Sequence, residues 1–163
     1  MDLGSAIIGI IFLAACIVPF VIIHINRSSK ERKMLELLSD FAKQHQCKLS
    51  QHELCGDYVI GIDEAQKFVF FHKKNKVKES TQYIDLADIQ SCKAVNTSRT
   101  FNGNEGNTKI IERLNLVFTP HDTTKGNLEF DFYNNEVSAQ LYGELQSIEK
   151  WEKIIKSQLK VKK

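Results

Sequence analysis

From Leu3 to Ile25 the chain carries no Asp, Glu, Lys or Arg, and Arg27, Lys30, Arg32 and Lys33 follow directly. As a helix rising 1.5 Å per residue, that run is about 34 Å long, enough to cross a hydrocarbon core of about 30 Å with some tilt. It predicts a single-pass transmembrane anchor over residues 1–26, with a basic, water-facing remainder behind it. Lys and Arg gathered on the C-terminal side of a span mark that side as cytoplasmic. The expected location is therefore a cell (inner) membrane, N-terminus outside and domain in the cytoplasm.

A cleaved secretory signal has a basic n-region and a shorter apolar core of about 7–15 residues. Here the only charged side chain ahead of the run is Asp2, and the run is longer than that. Leu13-Ala14-Ala15-Cys16 resembles the lipobox at which bacterial lipoproteins are cleaved and acylated, an alternative that moves the domain across the membrane. Against it stand the missing n-region and the apolar Ile17 to Ile23 that would follow the lipid. Ser5 and Gly9 form a small-xxx-small spacing through which two membrane helices can approach, so a homo-oligomer through the anchor is one expectation.

Of 22 basic and 20 acidic side chains only Asp2 precedes Arg27, which leaves the water-facing part with 22 basic against 19 acidic groups, a net charge of +3. Without clustered aromatics, that weak excess argues against nucleic acid as a partner. Cys16, Cys47, Cys55 and Cys92 form no CxxC pair and no zinc-ligand spacing. An odd, scattered set outside the membrane run fits reduced thiols in a reducing compartment.

Residues 27–46 read as a juxtamembrane amphipathic helix. Met34, Leu35, Leu37, Leu38, Phe41 and Ala42 recur with helical period up to about Gln46. Its apolar face either packs on the following domain or lies on the bilayer, and its basic start suits an anionic leaflet.

Residues 47–163 form the remaining domain, where the period changes from 3.6 to 2. Expected strands are Lys48–Leu54, Asp57–Asp63, Lys67–His72, Gln82–Leu86, Ile89–Asn96, Ile110–Phe118 and Asn127–Tyr133. In the last of these, Leu128, Phe130 and Phe132 point one way while Glu129, Asp131 and Tyr133 point the other. Thr97 to Lys109, with its Asn-Gly-rich centre, reads as a flexible loop or hairpin tip. From about Ser138 the helical period returns, and Leu141, Leu145, Ile148, Trp151, Ile155 and Leu159 form one apolar stripe.

Strands followed by a closing helix argue for an α+β fold with antiparallel pairing. Seven strands closed by an amphipathic helix carrying Trp151 resemble the pleckstrin-homology-like fold. That resemblance implies a bent sheet or barrel whose open end is plugged by the helix, with the tryptophan facing inward. The chain is also similar to a family of small single-pass bacterial membrane proteins. The likeness lies in the anchor, Gly61-Ile62-Asp63, Ile84-Asp85-Leu86-Ala87-Asp88-Ile89, Asn96-Thr97-Ser98-Arg99 and Glu149-Lys150-Trp151. The family carries no established activity, so the likeness transfers none.

Catalytic chemistry needs a nucleophile with a base in reach, and a metal needs three or four ligands at workable spacing. His24, His45, His52, His72 and His121 are dispersed, and neither the P-loop nor the dinucleotide fingerprint occurs. No catalytic, cofactor or metal residues are expected. Asp85 reads as a turn-forming acid.

The basic run Lys73, Lys74, Lys76 and Lys78, between two expected strands, is a candidate contact for anionic lipid or a partner, as basic hairpin loops are in some pleckstrin-homology domains. Arg99 and Lys109 flank the second candidate loop, and Arg27, Lys30, Arg32 and Lys33 form the juxtamembrane basic set. The expected function is a membrane-anchored interaction or scaffolding module with a protein partner, docked at the inner leaflet. The alternative is a sensor that binds a small molecule or lipid and passes the event to the membrane helix.

Overall fold

A computed structural model of the 163-residue chain describes residues 29–75, 77–103, 106–138 and 140–160, with backbone alone considered for 101–103 and 106–108. The anchor, residues 1–26, and Arg27 lie outside the described residues. Among those described, no helix is long and apolar enough to cross a membrane. The chain divides into two compact units, Met1–Glu36 and Leu37–Lys163. Residues 29–36 of the first are helical, and Lys30, Arg32 and Lys33 are exposed there.

Helix α1 spans residues 29–44 without a break. Gln46 ends it by adopting a left-handed φ of 59°. The Cys47 N–H then reaches the Ala42 carbonyl at 2.9 Å and the Gln46 N–H reaches the Lys43 carbonyl at 2.9 Å. These two bonds satisfy carbonyls that the last helical turn leaves open.

Seven strands follow: β1 (Gln51–Cys55), β2 (Tyr58–Asp63), β3 (Phe68–Lys74), β4 (Glu79–Asp85), β5 (Ile89–Gly103), β6 (Gly106–Pro120) and β7 (Leu128–Asn134), and then helix α2 (Glu144–Lys160). All neighbouring pairs are antiparallel. They form a four-stranded sheet, β1-β2-β3-β4, and a three-stranded sheet, β5-β6-β7. The fold is α+β, and the described strands do not join into one closed barrel.

Local chemistry sets the turns. Asp63 Oδ1 accepts the Ala65 and Gln66 N–H groups at 3.0 and 2.9 Å, and its Oδ2 accepts the Lys48 N–H at 2.7 Å. Asp85 caps the short 3₁₀ turn Leu86–Asp88 by accepting the Ala87 N–H at 2.8 Å, the turn-forming role expected of it. Gly56 has a φ of +58°, and a Cβ there would stand 2.8 Å from Glu144 Oε1. Glycine takes that φ without strain and leaves Glu144 its place beneath α2, which a larger residue would have to displace.

The main core lies between the sheets and under α2. Tyr58, Ile60, Ile62, Val69 and Phe71 come from β2 and β3, Leu114, Leu116, Phe118, Phe130 and Phe132 from β6 and β7, and Ile148, Trp151 and Ile155 from α2. Phe71 and Phe130 stack across the two sheets at 4.8 Å. Burying each such ring contributes on the order of 1.5–3 kcal/mol. A second apolar layer covers the opposite face of the four-stranded sheet. Leu38 and Ala42 of α1 are fully buried with Val59 and Phe70, and Leu49 fills the space left by the missing Cβ of Gly61. The apolar side of residues 37–46 thus packs on the domain.

Four sequence expectations are corrected. β5 and β6 run far beyond Asn96 and back from Ile110, so the expected Thr97–Lys109 loop is a ribbon in which only residues 104–105 separate the strands. β4 begins at Glu79, which narrows the basic loop to the turn after Lys74. Helix α2 starts at Glu144, because Gly143 takes a φ of +114° just ahead of it, and this leaves Leu141 outside the helix. Tyr133 is buried beside Phe132, because a register shift after Leu114 inserts Phe132 as an extra residue and breaks the alternation of β7.

Candidate functional site

A strand at the edge of a sheet carries unpaired N–H and C=O groups, so each edge needs a cover or invites a partner. On β5 the Ala94 N–H donates to Glu152 Oε1 of α2 at 3.1 Å. Burial pushes the Glu152 carboxyl up, but Lys156 Nζ at 2.8 Å and the Ala94 N–H outweigh it and hold the group below the usual carboxylate range. On β1, Glu53 accepts the Trp151 indole N–H at 2.6 Å and faces Lys150 Nζ at 3.1 Å, so α2 also fastens this strand.

The edges of β4 and β7 are different. They stand on opposite sides of a groove of about 320 Å³, lined by Phe41 of α1, Thr81 to Ile84 of β4 and Leu128 to Phe130 of β7. Among the described residues no backbone hydrogen bond joins the two strands. Tyr83 and Leu128 at its rim are 46% and 47% exposed, although both are large and apolar. The groove therefore lies between two edge strands that share no backbone hydrogen bond among the described residues, beside partly uncovered apolar side chains.

Polar groups brace the groove from behind. His72, opposite Thr81 in the ladder, contacts Thr81 Oγ1 through Nδ1 at 2.8 Å. Its buried Nε2 has no hydrogen-bond partner and lies 3.7 Å from Glu79 Oε1. Burial lowers the His72 pKa, and nearby Glu79 opposes that shift. Lys73 Nζ donates to the Asp131 carbonyl at 3.0 Å and faces Asp131 Oδ2 at 3.3 Å and Asp57 Oδ1 at 3.8 Å. It ties β3 to β7 one residue beyond the groove-lining Phe130. Burial raises the Asp57 pKa against the pull of the Lys73 charge. Asn115 Nδ2 donates to Glu129 Oε2 at 2.7 Å and holds that carboxylate at the rim.

The residues expected to form a basic contact loop are not brought together as one cluster. Lys73 belongs to β3 and is 6% exposed, since its side chain turns inward to the two aspartates. Lys74 is exposed but paired with Glu79 at 2.6 Å. Lys76 lies outside the described residues. Lys78 is exposed beside Val77, in a turn where Asn75 Oδ1 accepts the Val77 and Lys78 N–H groups at 3.0 and 2.6 Å. On the other sheet Arg99 pairs with Glu112 at 2.9 Å, and Lys109, opposite Thr100, is exposed.

Arg99 also lines a polar recess of about 480 Å³ on the outer face of the three-stranded sheet, with Arg113, Asn115 and Glu136. Cys47, Cys55 and Cys92 are free thiols, and burial pushes Cys92 up to about 12. Among the described residues no three His, Cys, Asp or Glu side chains are placed to hold a metal.

The groove itself escaped sequence reading because Phe41, Thr81 to Ile84 and Leu128 to Phe130 come from three distant segments. Its one local trace is Leu128, an apolar residue at a strand start that the core does not absorb. No protein-family model matches the chain, and comparison with curated proteins and with solved structures returns no match either.

Proposed function

We propose that the chain is a membrane-anchored interaction module whose pleckstrin-homology-like domain sits on the cytoplasmic side and takes an extended segment of a partner protein into the β4/β7 groove. The observation that carries this reading is the groove lined by β4 and β7, two edge strands that no backbone hydrogen bond joins among the described residues, with exposed Tyr83 and Leu128 at its rim. Strand addition lets main-chain hydrogen bonds supply affinity, and the flanking apolar side chains supply selectivity.

The uncharged Leu3–Ile25 run and the basic residues behind it support the anchor and its orientation. Four plus three strands with a closing helix and an inward Trp151 support the pleckstrin-homology-like reading. Lys74 and Lys78 at the Asn75 turn, with Lys30, Arg32 and Lys33, are the groups that would meet an anionic leaflet. The second reading, a small-molecule or lipid sensor, draws on the groove volume of about 320 Å³, which reaches the lower end of the range for small ligands, roughly 300–1,000 Å³.

A photo-crosslinking residue at Gln82 in the full-length protein, expressed in cells, tests the lead reading against a control at Thr97 on the outer face of the other sheet. The expected result is a discrete adduct at Gln82 only, abolished by Leu128→Arg. Equal adducts at both positions, or an adduct that survives Leu128→Arg, overturn it. Absence of any protein adduct, with a groove-dependent thermal shift in a metabolite and lipid screen, favours the sensor. The mass of the mature N-terminus separates the anchor from its rival: a lipidated Cys16 moves the domain across the membrane.

A further inference from the structure

The groove and the seat of α1 share side chains. Phe41 meets Phe70 edge-on at 6.1 Å and Tyr83 at 6.0 Å, and His45 lies over Tyr83 at 4.2 Å. Those contacts hold residues 37–46 against the four-stranded sheet, where Leu38 and Ala42 are fully buried. Phe41 and Tyr83 also form the rim of the groove on that side. Neither ring is fully covered, so each retains apolar surface that an occupant can bury.

We propose that groove occupancy and the seating of residues 37–44 of α1 are linked, so that binding of an extended apolar segment tightens this part of the helix against the four-stranded sheet. This rests on the reading of the groove as a site for such a segment. Lifting α1 removes Phe41 and with it one wall of the groove. The occupant therefore binds the seated form more tightly, and by reciprocity it must favour seating.

Two experiments on the full-length protein in nanodiscs test the linkage. Leu128→Trp places an indole in the groove without touching α1's own sequence. Amide exchange over residues 37–44 is expected to slow by about five-fold, the scale of a modest coupling. Thr97→Trp, which fills the polar recess on the other sheet opposite Arg113, is expected to leave it unchanged. If Leu128→Trp also speeds exchange across β2 and β3, the smaller Leu128→Phe replaces it.

The reciprocal test is Leu38→Ala, which loosens the seat but does not line the groove. It is expected to lower the Gln82 crosslinking yield several-fold while exchange in β2 and β3 shows the domain folded. Unchanged exchange over residues 37–44 in a folded groove-filled variant, or an unchanged adduct in Leu38→Ala, overturns the linkage. Either result leaves the groove reading standing, since that reading is judged on the Gln82 and Thr97 adducts of the wild type and on the loss of the Gln82 adduct in Leu128→Arg.

Discussion

The two sheets are built from similar strands but differ in how many faces they bury. The four-stranded sheet faces the main core on one side and α1 on the other, and every residue of β2 is buried. In the three-stranded sheet, β6 alternates between buried and part-exposed residues from Leu114 to Phe118, and its outer face holds the pairs Arg113–Glu136 and Arg99–Glu112. A strand covered on both faces loses its alternation and reads as one apolar run, whereas a half-covered strand keeps it. The outer face of the first sheet therefore contributes to stability, and that of the second supplies a polar surface.

The largest expected contrast compares Phe70→Ala with Val95→Ala. Phe70 is fully buried on the face under α1, and truncating it costs about 3–5 kcal/mol in chemical unfolding. Val95, on the second sheet, is 39% exposed, and its truncation stays within about 0.5 kcal/mol. Similar losses at the two sites would remove the distinction between the sheets.

Next comes the tie between the sheets. Lys73→Ala removes the buried stem and the hydrogen bond to the Asp131 carbonyl and costs about 1–3 kcal/mol, since Asp57 and Asp131 stay partly solvated, whereas Lys73→Met, which keeps the stem, costs less. A third comparison uses pH. His72 ordinarily titrates near 6.5, and burial lowers that value in the folded state. The unfolded chain therefore takes up the proton first, and stability is lost as pH falls through 6.5, at no more than about 1.4 kcal/mol per pH unit. His72→Phe is expected to flatten the denaturation midpoint over that window. The smallest effect is Arg113→Ala: its pair with Glu136 is 52% and 70% exposed, so the change stays within about 0.5 kcal/mol.

Much of the fold was legible because local pattern and burial agree over most of it. The period-2 segments became the seven strands, and the stripe Ile148, Trp151, Ile155 became the buried face of α2. Ends were less legible. Nothing in the alternation of Leu128 to Tyr133 signals the extra residue at Phe132, since a bulge is decided by what its partner strand can pack. The basic run was legible as charge but not as environment. Lys73 and Lys74 are neighbours in sequence, yet the pleat sends one into the core and leaves the other in solvent.

By itself, the sequence determined the apolar run with its basic flank, the order of strands and helices, and the apolar face of α2, all set by the period of side chains along one segment. Only the tertiary structure decided which face α1 covers, which edge strands line the groove and where Lys73 finds its carboxylates. Those features depend on side chains far apart in the chain, as when Phe41, Tyr83 and Leu128 meet at one groove, and periodicity within a segment carries no record of what will pack against it.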